Sequence, residues 1–435
     1  MTPDLILFTL GCILLIPLAA AGLGLIHQGL GRSRSAAHAM LATLCAFAIA
    51  AILTVAVGFN FAIGAIGTPG AAHTFTAVGA HWDWLGRGAF FAHDIHFDLP
   101  DAFSLGLALK LCFLIFAAGL AAMPAISAGA DRWRLAAVCA ATSALALFFF
   151  PLFSHWTWGG GWLTQLDANF HLPAFTDVGG AATIQVLGGL LAICIAWITG
   201  PRRGKFEANG MPAAIPGHNI VLVLFGCMLA LVGWIALESA ASILFYSVAP
   251  LQIAAIILNA TLSASAGFLA AIILTRGRYR KPDASIASNG WIAGLVAGSA
   301  ACFLLSPAAA MFIGAVAGLL ATWMIEMAEL RLQVDDPGGA VSVHAGAGIW
   351  GIVAAALFGH FTAGSRAEHV LSQMIGIAAL LGLMLPLLYG ANLLLDRITP
   401  YRVDADGDWQ GMDIRELGAG AYPEFVIHAD DYVPR

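Results

Sequence analysis

Long apolar segments alternate with short polar ones along almost the whole chain. A helix needs about 20 apolar residues to cross the hydrocarbon core of a bilayer. Segments of that kind, separated by glycine, proline and charged residues, predict an all-α membrane protein with eleven transmembrane helices. The predicted helices lie near residues 5–28, 37–60, 102–124, 135–155, 178–199, 218–241, 247–275, 286–304, 308–328, 342–360 and 370–396.

Two stretches depart from this pattern. Residues 61–101 are polar and rich in histidine and tryptophan, which predicts an extramembrane loop on the outer side. Residues 397–435 are polar and charged, which predicts a cytoplasmic C-terminal tail. Residues 1–396 therefore form the predicted transmembrane domain.

The basic residues indicate which side of the membrane each loop occupies. Sixteen of the 19 lysines and arginines follow the odd-numbered predicted helices, whereas only Arg87 and Arg366 lie in the loops of the other side. Short cytoplasmic loops carry an excess of lysine and arginine. The N-terminus is therefore predicted outside and the C-terminus inside, in the inner (plasma) membrane of the cell.

Composition excludes several classes of protein. The chain is 60% hydrophobic and 10% charged, with a mean hydropathy of +0.86, whereas soluble domains carry about 25% charged residues. A net charge of −6 without a basic stripe excludes nucleic acid as a partner. The seven cysteines form no CxxC pair and are interpreted as core residues. We expect membrane lipid around the chain, and no metal and no cofactor.

Two segments 159 residues apart share a pattern. Asp177 to Gln185 aligns without gaps on Asp336 to His344, and each begins with an aspartate, one apolar residue and then Gly-Gly-Ala. An aspartate near a helix start caps the free amides and suits the positive end of the helix dipole. In the predicted topology the two helices run in opposite directions, which indicates an inverted repeat of five helices plus five, with a peripheral eleventh helix.

Inverted repeats place the substrate path at their interface near the midplane of the membrane. Gln185 and His344 each lie about 12 Å into their helices at the helical rise, and the symmetry would bring them face to face. The alternative is that small residues only pack the two helices and that each polar group is satisfied locally. We favour a pathway, because polar groups that meet within a membrane usually line one.

Several motifs, in order along the chain, resemble the ammonium transporter and Rhesus family. The resemblance covers most of the chain apart from residues 61–101 and 164–175. The motifs are Trp158-Gly159-Gly160-Gly161, Gly233-Trp234, Asn259-Ala260-Thr261, Ser288-Asn289-Gly290-Trp291, Asp335-Asp336-Pro337 with Val341-Ser342-Val343-His344, and Gly411-Met412-Asp413-Ile414 in the tail.

The resemblance implies a homotrimer of eleven-helix subunits, each with its own pore for ammonium or ammonia. In the family a tryptophan, a phenylalanine and a serine form an outer cation site, two stacked phenylalanines gate a narrow pore, and two histidines share a hydrogen bond within it. An aromatic face can offset about 2 kcal/mol or more of the cost of dehydrating a cation. Paired imidazoles accept and donate protons near neutrality.

Transfer of these roles is partial. Trp158 matches the outer tryptophan, Asp177 the neighbouring aspartate and His344 the second pore histidine, whereas the first pore histidine falls on Gln185. Phe113 and Trp234 are further candidates for the pore lining. The family's tyrosine-glycine-glycine of the first helix reads His27-Gln28-Gly29.

The gate residues are also replaced. The outer gate phenylalanine falls on Ala117, or on Phe116 if the register shifts by one, and the inner one falls on Leu237. The outer serine falls on Ala241, with Ser242 adjacent. Loss of aromatic bulk at these positions predicts a wider pore with weaker exclusion of potassium.

Two charged residues, Lys110 and Glu238, fall inside predicted helices. A charge at the centre of a membrane helix costs about 2.5–3.5 kcal/mol on insertion scales. The two residues could pair with each other, Lys110 could extend to the outer surface, or they could act in function. A positive Lys110 at the outer vestibule would oppose the capture of a cation, whereas a lysine desolvated enough to lose its proton would not.

The sequence thus predicts a transporter of ammonium or ammonia with altered selectivity or weak conduction, because an amide cannot titrate as an imidazole does. Two alternatives stay open: an ammonium-binding sensor that acts through a partner protein, and a channel for another small solute. The family's tail meets a PII-type signalling protein; here Gly418, Ala421 and Tyr422 match, but an expected histidine is Leu417. No nucleophile–base or metal constellation indicates an enzyme.

Overall fold

The computed structural model describes residues 2–63, 74–76, 79, 81–97 and 102–422. Parts of the predicted outer loop and residues 423–435 of the predicted tail lie outside this set. The α-helices are α1 Pro3–Leu15, α2 Pro17–Leu30, α3 Ala36–Leu53, α4 Phe59–Ala62, α5 Ala102–Ala128, α6 Leu135–Ala144, α7 Phe150–Thr157, α8 Leu166–Phe170, α9 Leu187–Thr199, α10 Ile220–Tyr246, α11 Pro250–Tyr279, α12 Ala284–Ser299, α13 Pro307–Leu330, α14 Ala347–Phe358, α15 Arg366–Ala379, α16 Leu385–Ile398 and α17 Ala405–Gln410.

Several of these helices are joined through a turn of π-helix or 3₁₀-helix. The π-helical segments are Thr54–Gly58, Leu145–Phe149, Ala181–Val186, Val341–Gly346, Leu380–Met384 and Asp413–Leu417, and the 3₁₀ segments are Ser33–Ser35 and Phe90–Ala92. In the outer-loop region, strand β1 (Thr74–Thr76) pairs antiparallel with β2 (Asp83–Gly86). The molecule is therefore a helical membrane protein with a small hairpin.

Ten continuous helical stretches of the described chain are long and apolar enough to cross a membrane. They coincide with ten of the eleven predicted segments. The remaining segment, 286–304, corresponds to α12, which has 16 residues and is about 24 Å long at the helical rise. Because a bilayer core is about 30 Å thick, the eleventh crossing stays a prediction.

Two stretches occupy the centre of the bundle. The stretches Ala181–Thr199 and Val341–Phe358 have 83% and 72% of their apolar window buried, whereas the other eight range from 33% to 61%. The surrounding helices expose large apolar side chains, as lipid-facing helices do. Among the ten long stretches, the central pair is thus the best shielded from lipid and solvent.

Glycines allow the surrounding helices to approach closely. A Cβ built on Gly22 of α2 would lie 2.5 Å from the backbone nitrogen of Ala230 in α10, and one on Gly226 would lie 2.6 Å from the carbonyl oxygen of Gly22. A Cβ on Gly233 would collide with the backbone of Ala19. Small residues at such crossings let helix backbones touch, which is how membrane helices associate.

A buried ion network ties the loops together at one end of the bundle. The Arg202 guanidinium donates to both carboxylate oxygens of Asp335, at 2.9 Å each, and to Asp131 at 3.0 Å. Arg132 donates to the backbone oxygens of Asp335 and Gly200, at 2.7 and 2.6 Å. Burial alone would raise the pKa of Asp335, but the charges of Arg132 and Arg202 lower it to about 2.

The segment after α16 folds back onto the same end. The Asp413 carboxylate accepts from the backbone amides of Ala37 and His38, at 3.2 and 2.8 Å, at the start of α3. Glu416 accepts from the amide of Leu135, at 2.7 Å, at the start of α6. The first part of the predicted tail therefore caps two helices of the bundle.

We expect Gly233→Ala to lower the free energy of unfolding by about 1–3 kcal/mol, the usual cost of overpacking a tight contact. The matched control is Gly11→Ala in α1, where an added Cβ meets nothing within 4 Å and helix propensity favours alanine. Thermal unfolding of the purified protein in detergent measures both variants. Equal stability of the two would contradict the close crossing.

Candidate functional site

The two central helices begin with the same capping arrangement. Asp177 accepts from the backbone amides of Ala182 and Thr183, at 3.0 and 2.8 Å, and from the Thr183 hydroxyl at 2.7 Å. Asp336 accepts from the amide of Val341 at 2.7 Å. Both carboxylates thus reach the amide five residues further along. Each satisfies donors that a helix start leaves free.

The glycines of the repeat are required by the backbone at these starts. Gly180 and Gly339 have φ values of +83° and +69°, a left-handed conformation that side chains disfavour. The following residues form the π-helical segments Ala181–Val186 and Val341–Gly346. Such π-helical turns are frequent at functional sites. Gln185 and His344 each lie in one of them.

Contacts between the two central helices are reciprocal. A Cβ on Gly189 would collide with the backbone of Ala345, and a Cβ on Gly348 would lie 2.5 Å from Cγ2 of Val186. Each helix therefore presents a glycine to the π-helical turn of the other. Reciprocity of this kind is what a two-fold relation between the helices requires.

Gln185 and His344 meet where these turns cross. Their side chains are 0% and 1% exposed, and the His344 Nδ1 lies 2.7 Å from the Gln185 Oε1. Because a carbonyl oxygen only accepts, Nδ1 carries the hydrogen, and Nε2 of the neutral imidazole is then an acceptor. The Gln185 Nε2 has no partner among the described residues. The pair thus keeps one donor and one acceptor for another molecule.

Further polar groups lie near the pair. Both His27 and Ser127 approach Gly338, which precedes His344 in the same segment. The His27 Nδ1, the Gln28 Oε1 and the Ser127 Oγ are buried without a partner in the described part of the chain. The sequence assigned no role to these residues. The signal that could have found them is His27-Gln28-Gly29, which stands where the family has tyrosine-glycine-glycine.

Trp158 belongs to an aromatic cluster with Phe113 and Phe245. The Trp158 Nε1 donates to the backbone oxygen of Asp177 at 2.8 Å. Its ring stacks on Phe245, with centroids 5.1 Å apart and planes 4° from parallel. Phe113 meets both rings edge-on at 5.6 Å. Sequence reasoning missed Phe245, because α10 and α7 are distant along the chain and only the fold brings these rings together.

The other predicted site residues are placed as follows. Ala117, Leu237 and Ala241 are fully buried. The Ser242 hydroxyl lies 3.8 Å from the Cys302 sulfur, and the Trp234 indole donates to the Ser299 hydroxyl at 2.8 Å.

Phe116 lies apart from the aromatic cluster. Its ring stacks on Phe47 of α3, with centroids 5.7 Å apart. The aromatic contact with Trp158 comes from Phe113, one turn earlier in α5.

The predicted ion pair between Lys110 and Glu238 is not formed. Glu238 is 1% exposed, and its Oε1 accepts from the Ser299 hydroxyl at 2.7 Å. The Lys110 Nζ lies instead over the ring of Phe245, 5.8 Å from its centroid. Of the alternatives left open for these two residues, the ion pair is not the one seen in the structure, because the two side chains face different neighbours.

The described ranges hold no group of three or more histidine, cysteine, aspartate or glutamate residues that could bind a metal ion.

Asp336 gives a prediction of pH dependence. Burial raises its pKa to about 6, from 3.8 in an exposed carboxyl. The folded chain then binds more protons than the unfolded chain between these values, so stability falls as pH rises through this window. We expect the melting temperature in detergent to fall less from pH 4.5 to pH 7 in Asp336→Asn than in the native protein.

Asp335→Asn is the matched control, because the lowered pKa of Asp335 places its own stability change at more acidic pH. An equal fall in all three proteins would contradict the assignment to Asp336.

The profile of the Ammonium Transporter Family matches residues 7–422. The chain is 29% identical to "Ammonium transporter Amt2" of Archaeoglobus fulgidus, over 95% of this chain and 87% of that protein. It is 28% identical to "Ammonium transporter 3" of Dictyostelium discoideum, over 92% and 90%.

Solved structures with the same fold superpose on this chain. The structure of a "Sensor Amt Protein" superposes with a TM-score of 0.84 at 25% identity, covering 95% of this chain and 98% of that one. Candida albicans Mep2 superposes with a TM-score of 0.78 at 19% identity, covering 98% and 91%. From its motifs, its central helices and these matches, the chain belongs to the ammonium transporter family.

Proposed function

We propose that the chain carries ammonia, derived from ammonium, along a path that passes the Gln185–His344 pair. The observation that carries the proposal is the buried 2.7 Å hydrogen bond between these side chains. It lies where the two most shielded of the ten long helical stretches meet. Polar groups at such a place in a membrane protein line pathways more often than they serve packing.

The chemistry of the pair suits a neutral solute. Ammonia has three N–H donors and one lone pair. It can donate to the Nε2 of His344 and accept from the unpartnered Nε2 of Gln185. Ammonium has no lone pair and would have to leave its proton outside.

Gln185 limits what can happen to that proton. A side-chain amide donates and accepts hydrogen bonds but does not titrate near neutral pH. A relay that hands a proton from one imidazole to the next needs two titratable rings. We therefore infer that transport is weakly electrogenic, or electroneutral, in this chain.

Altered selectivity is the second difference from the family that we propose. Ala117 and Leu237 occupy the positions at which the resemblance places gate phenylalanines, and both are buried. The stacked rings of Trp158 and Phe245 supply aromatic bulk nearby. Exclusion of larger cations then depends on that cluster, together with Phe113, and altered selectivity follows.

The architecture that we propose for this function is a homotrimer of subunits in the plasma membrane, each with an inverted 5+5 repeat, a peripheral eleventh helix, an outer N-terminus and an inner C-terminus. The reciprocal contacts of Gly189 and Gly348 support the repeat. The basic residues that follow the odd-numbered members of the eleven predicted transmembrane segments support the placement of the two termini.

A PII-type protein is the partner that we propose at the inner face. The Tyr422 hydroxyl lies 3.1 Å from the His218 Nε2, which lies 3.2 Å from the Gln28 Nε2. A protein that moved the tail would thereby disturb α2 next to His27. Leu417, at the position of an expected histidine, alters this surface.

A sensor is the second candidate function. One structural relative is named as a sensor and is 25% identical to this chain. Ammonium binding without flux would support this alternative, with the tail passing the signal to a separate protein. Flux of potassium or another small solute equal to that of ammonium would instead support the channel alternative.

Gln185→His tests the proposed function. In proteoliposomes, a pulse of ammonium should raise the internal pH of the native protein with little charge displacement. The histidine variant should carry a current at least about tenfold larger, since a positioned proton-transfer group contributes about 10²–10⁴-fold. Current is measured on a solid-supported membrane and pH with an enclosed dye.

Gln185→Leu is the control, because it has a similar volume but neither donates nor accepts. It should reduce the pH change and carry no current. A large ammonium-selective current in the native protein would refute the view that the amide blocks proton transfer.

A further inference from the structure

The aromatic cluster of Phe113, Trp158 and Phe245 already has a cation against it. The Lys110 Nζ lies over the Phe245 ring, 5.8 Å from its centroid. A cation within about 6 Å of a ring centroid is attracted by the negative face of the ring. The head group of lysine is a primary ammonium ion, so the cluster holds a small ammonium-type cation supplied by the chain itself.

The fold fixes Lys110 and the cluster as one unit. Lys110 and Phe113 are three residues apart in α5, so their side chains share one face of the helix. Phe113 contacts both Trp158 and Phe245. The Trp158 ring is held in turn by its hydrogen bond to the Asp177 carbonyl.

Among the residues that the structure describes, no carboxylate pairs with the lysine. In the described part of the chain Lys110 makes no ion pair and no hydrogen bond from its side chain, and Glu238 is bound to Ser299. The side chain is half-buried. Within the described part of the chain, the contact of the Lys110 ammonium group is the face of Phe245.

Stacking leaves little room for a second cation at the same rings. The Trp158 and Phe245 planes are 4° from parallel with centroids 5.1 Å apart, so Trp158 covers one face of Phe245 and no ion fits between them. A free cation has only the remaining ring surface, next to the Lys110 ammonium. Two like charges at that separation repel each other.

We propose that the Lys110 ammonium is a tethered occupant of the outer cation site, which ammonium and small primary alkylammonium ions such as methylammonium must displace to bind at Phe245 and Trp158. This inference rests on the proposed function, in which ammonium is the substrate. It adds Lys110 as a residue that sets the affinity of the outer site for ammonium. The tether keeps the competing group at a local concentration on the order of millimolar. Weak capture of ammonium follows from it.

Binding of radiolabelled methylammonium to the full-length protein in detergent tests the proposal. Lys110→Gln keeps a long side chain but removes the charge, and we expect methylammonium to bind on the order of tenfold more tightly. Lys110→Met should give the same gain and serves if the first variant is unstable. Lys110→Arg keeps a tethered cation and should give no gain.

Two further variants separate the tether from general electrostatics. Arg87→Gln removes one positive charge from the exposed loop preceding α5 and should leave binding nearly unchanged. Phe245→Leu, combined with Lys110→Gln, should abolish the gain because the ring that holds the cation is gone. No gain in either neutral Lys110 variant, or an equal gain in Arg87→Gln, would overturn the proposal.

Binding and flux are read separately. A gain in binding by Lys110→Gln with no ammonium flux in the native protein would sustain the tethered cation and refute transport. Flux in the native protein without any gain in binding by Lys110→Gln would support transport and overturn the tethered cation.

Discussion

The hydrogen bond between Gln185 and His344 is the interaction on which the functional site depends. Both side chains are fully buried, so each polar atom left without a partner is costly. The bond forms because two helices begin with the same aspartate, turn on a left-handed glycine and cross at glycines that admit the other backbone. The capping, the close crossing and the polar pair are thus parts of a single arrangement.

Replacing an imidazole with an amide changes what this arrangement can do. Two histidines form a pair in which either ring can hold the proton. With Gln185 the proton on the His344 Nδ1 is fixed by the amide oxygen, since that oxygen can only accept. Under the proposed function, the site is then a directional hydrogen-bonding surface and not a proton relay. Its specificity then comes from shape and from the placement of donors and acceptors.

Local sequence signals predicted much of this structure. Apolar segments predicted the ten long helices, and the gap-free repeat predicted that Gln185 and His344 occupy equivalent places. Both signals act over a few turns of helix, where periodicity and capping determine structure. The repeat also pointed to the aspartates, whose carboxylates reach equivalent amides in the two halves.

Long-range contacts could not be predicted in the same way. Phe245 stacks on Trp158 and accepts the Lys110 cation, but it lies near the end of a uniformly apolar helix, where nothing distinguishes it from its neighbours. Lys110 and Glu238 looked like partners because they were the two misplaced charges. The two side chains instead face Phe245 and Ser299. The direction in which each points depends on how its helix packs in the whole bundle.

The carboxylate of Asp413 has a consequence for where the membrane domain ends. It belongs to the segment beyond the last long helix, yet it completes the first turn of α3, near the beginning of the chain. A protein cut at residue 396 would therefore lose the carboxylate that caps the start of α3. Impaired transport in such a shortened chain would then follow from a destabilised start of α3, whether or not a partner protein binds the tail.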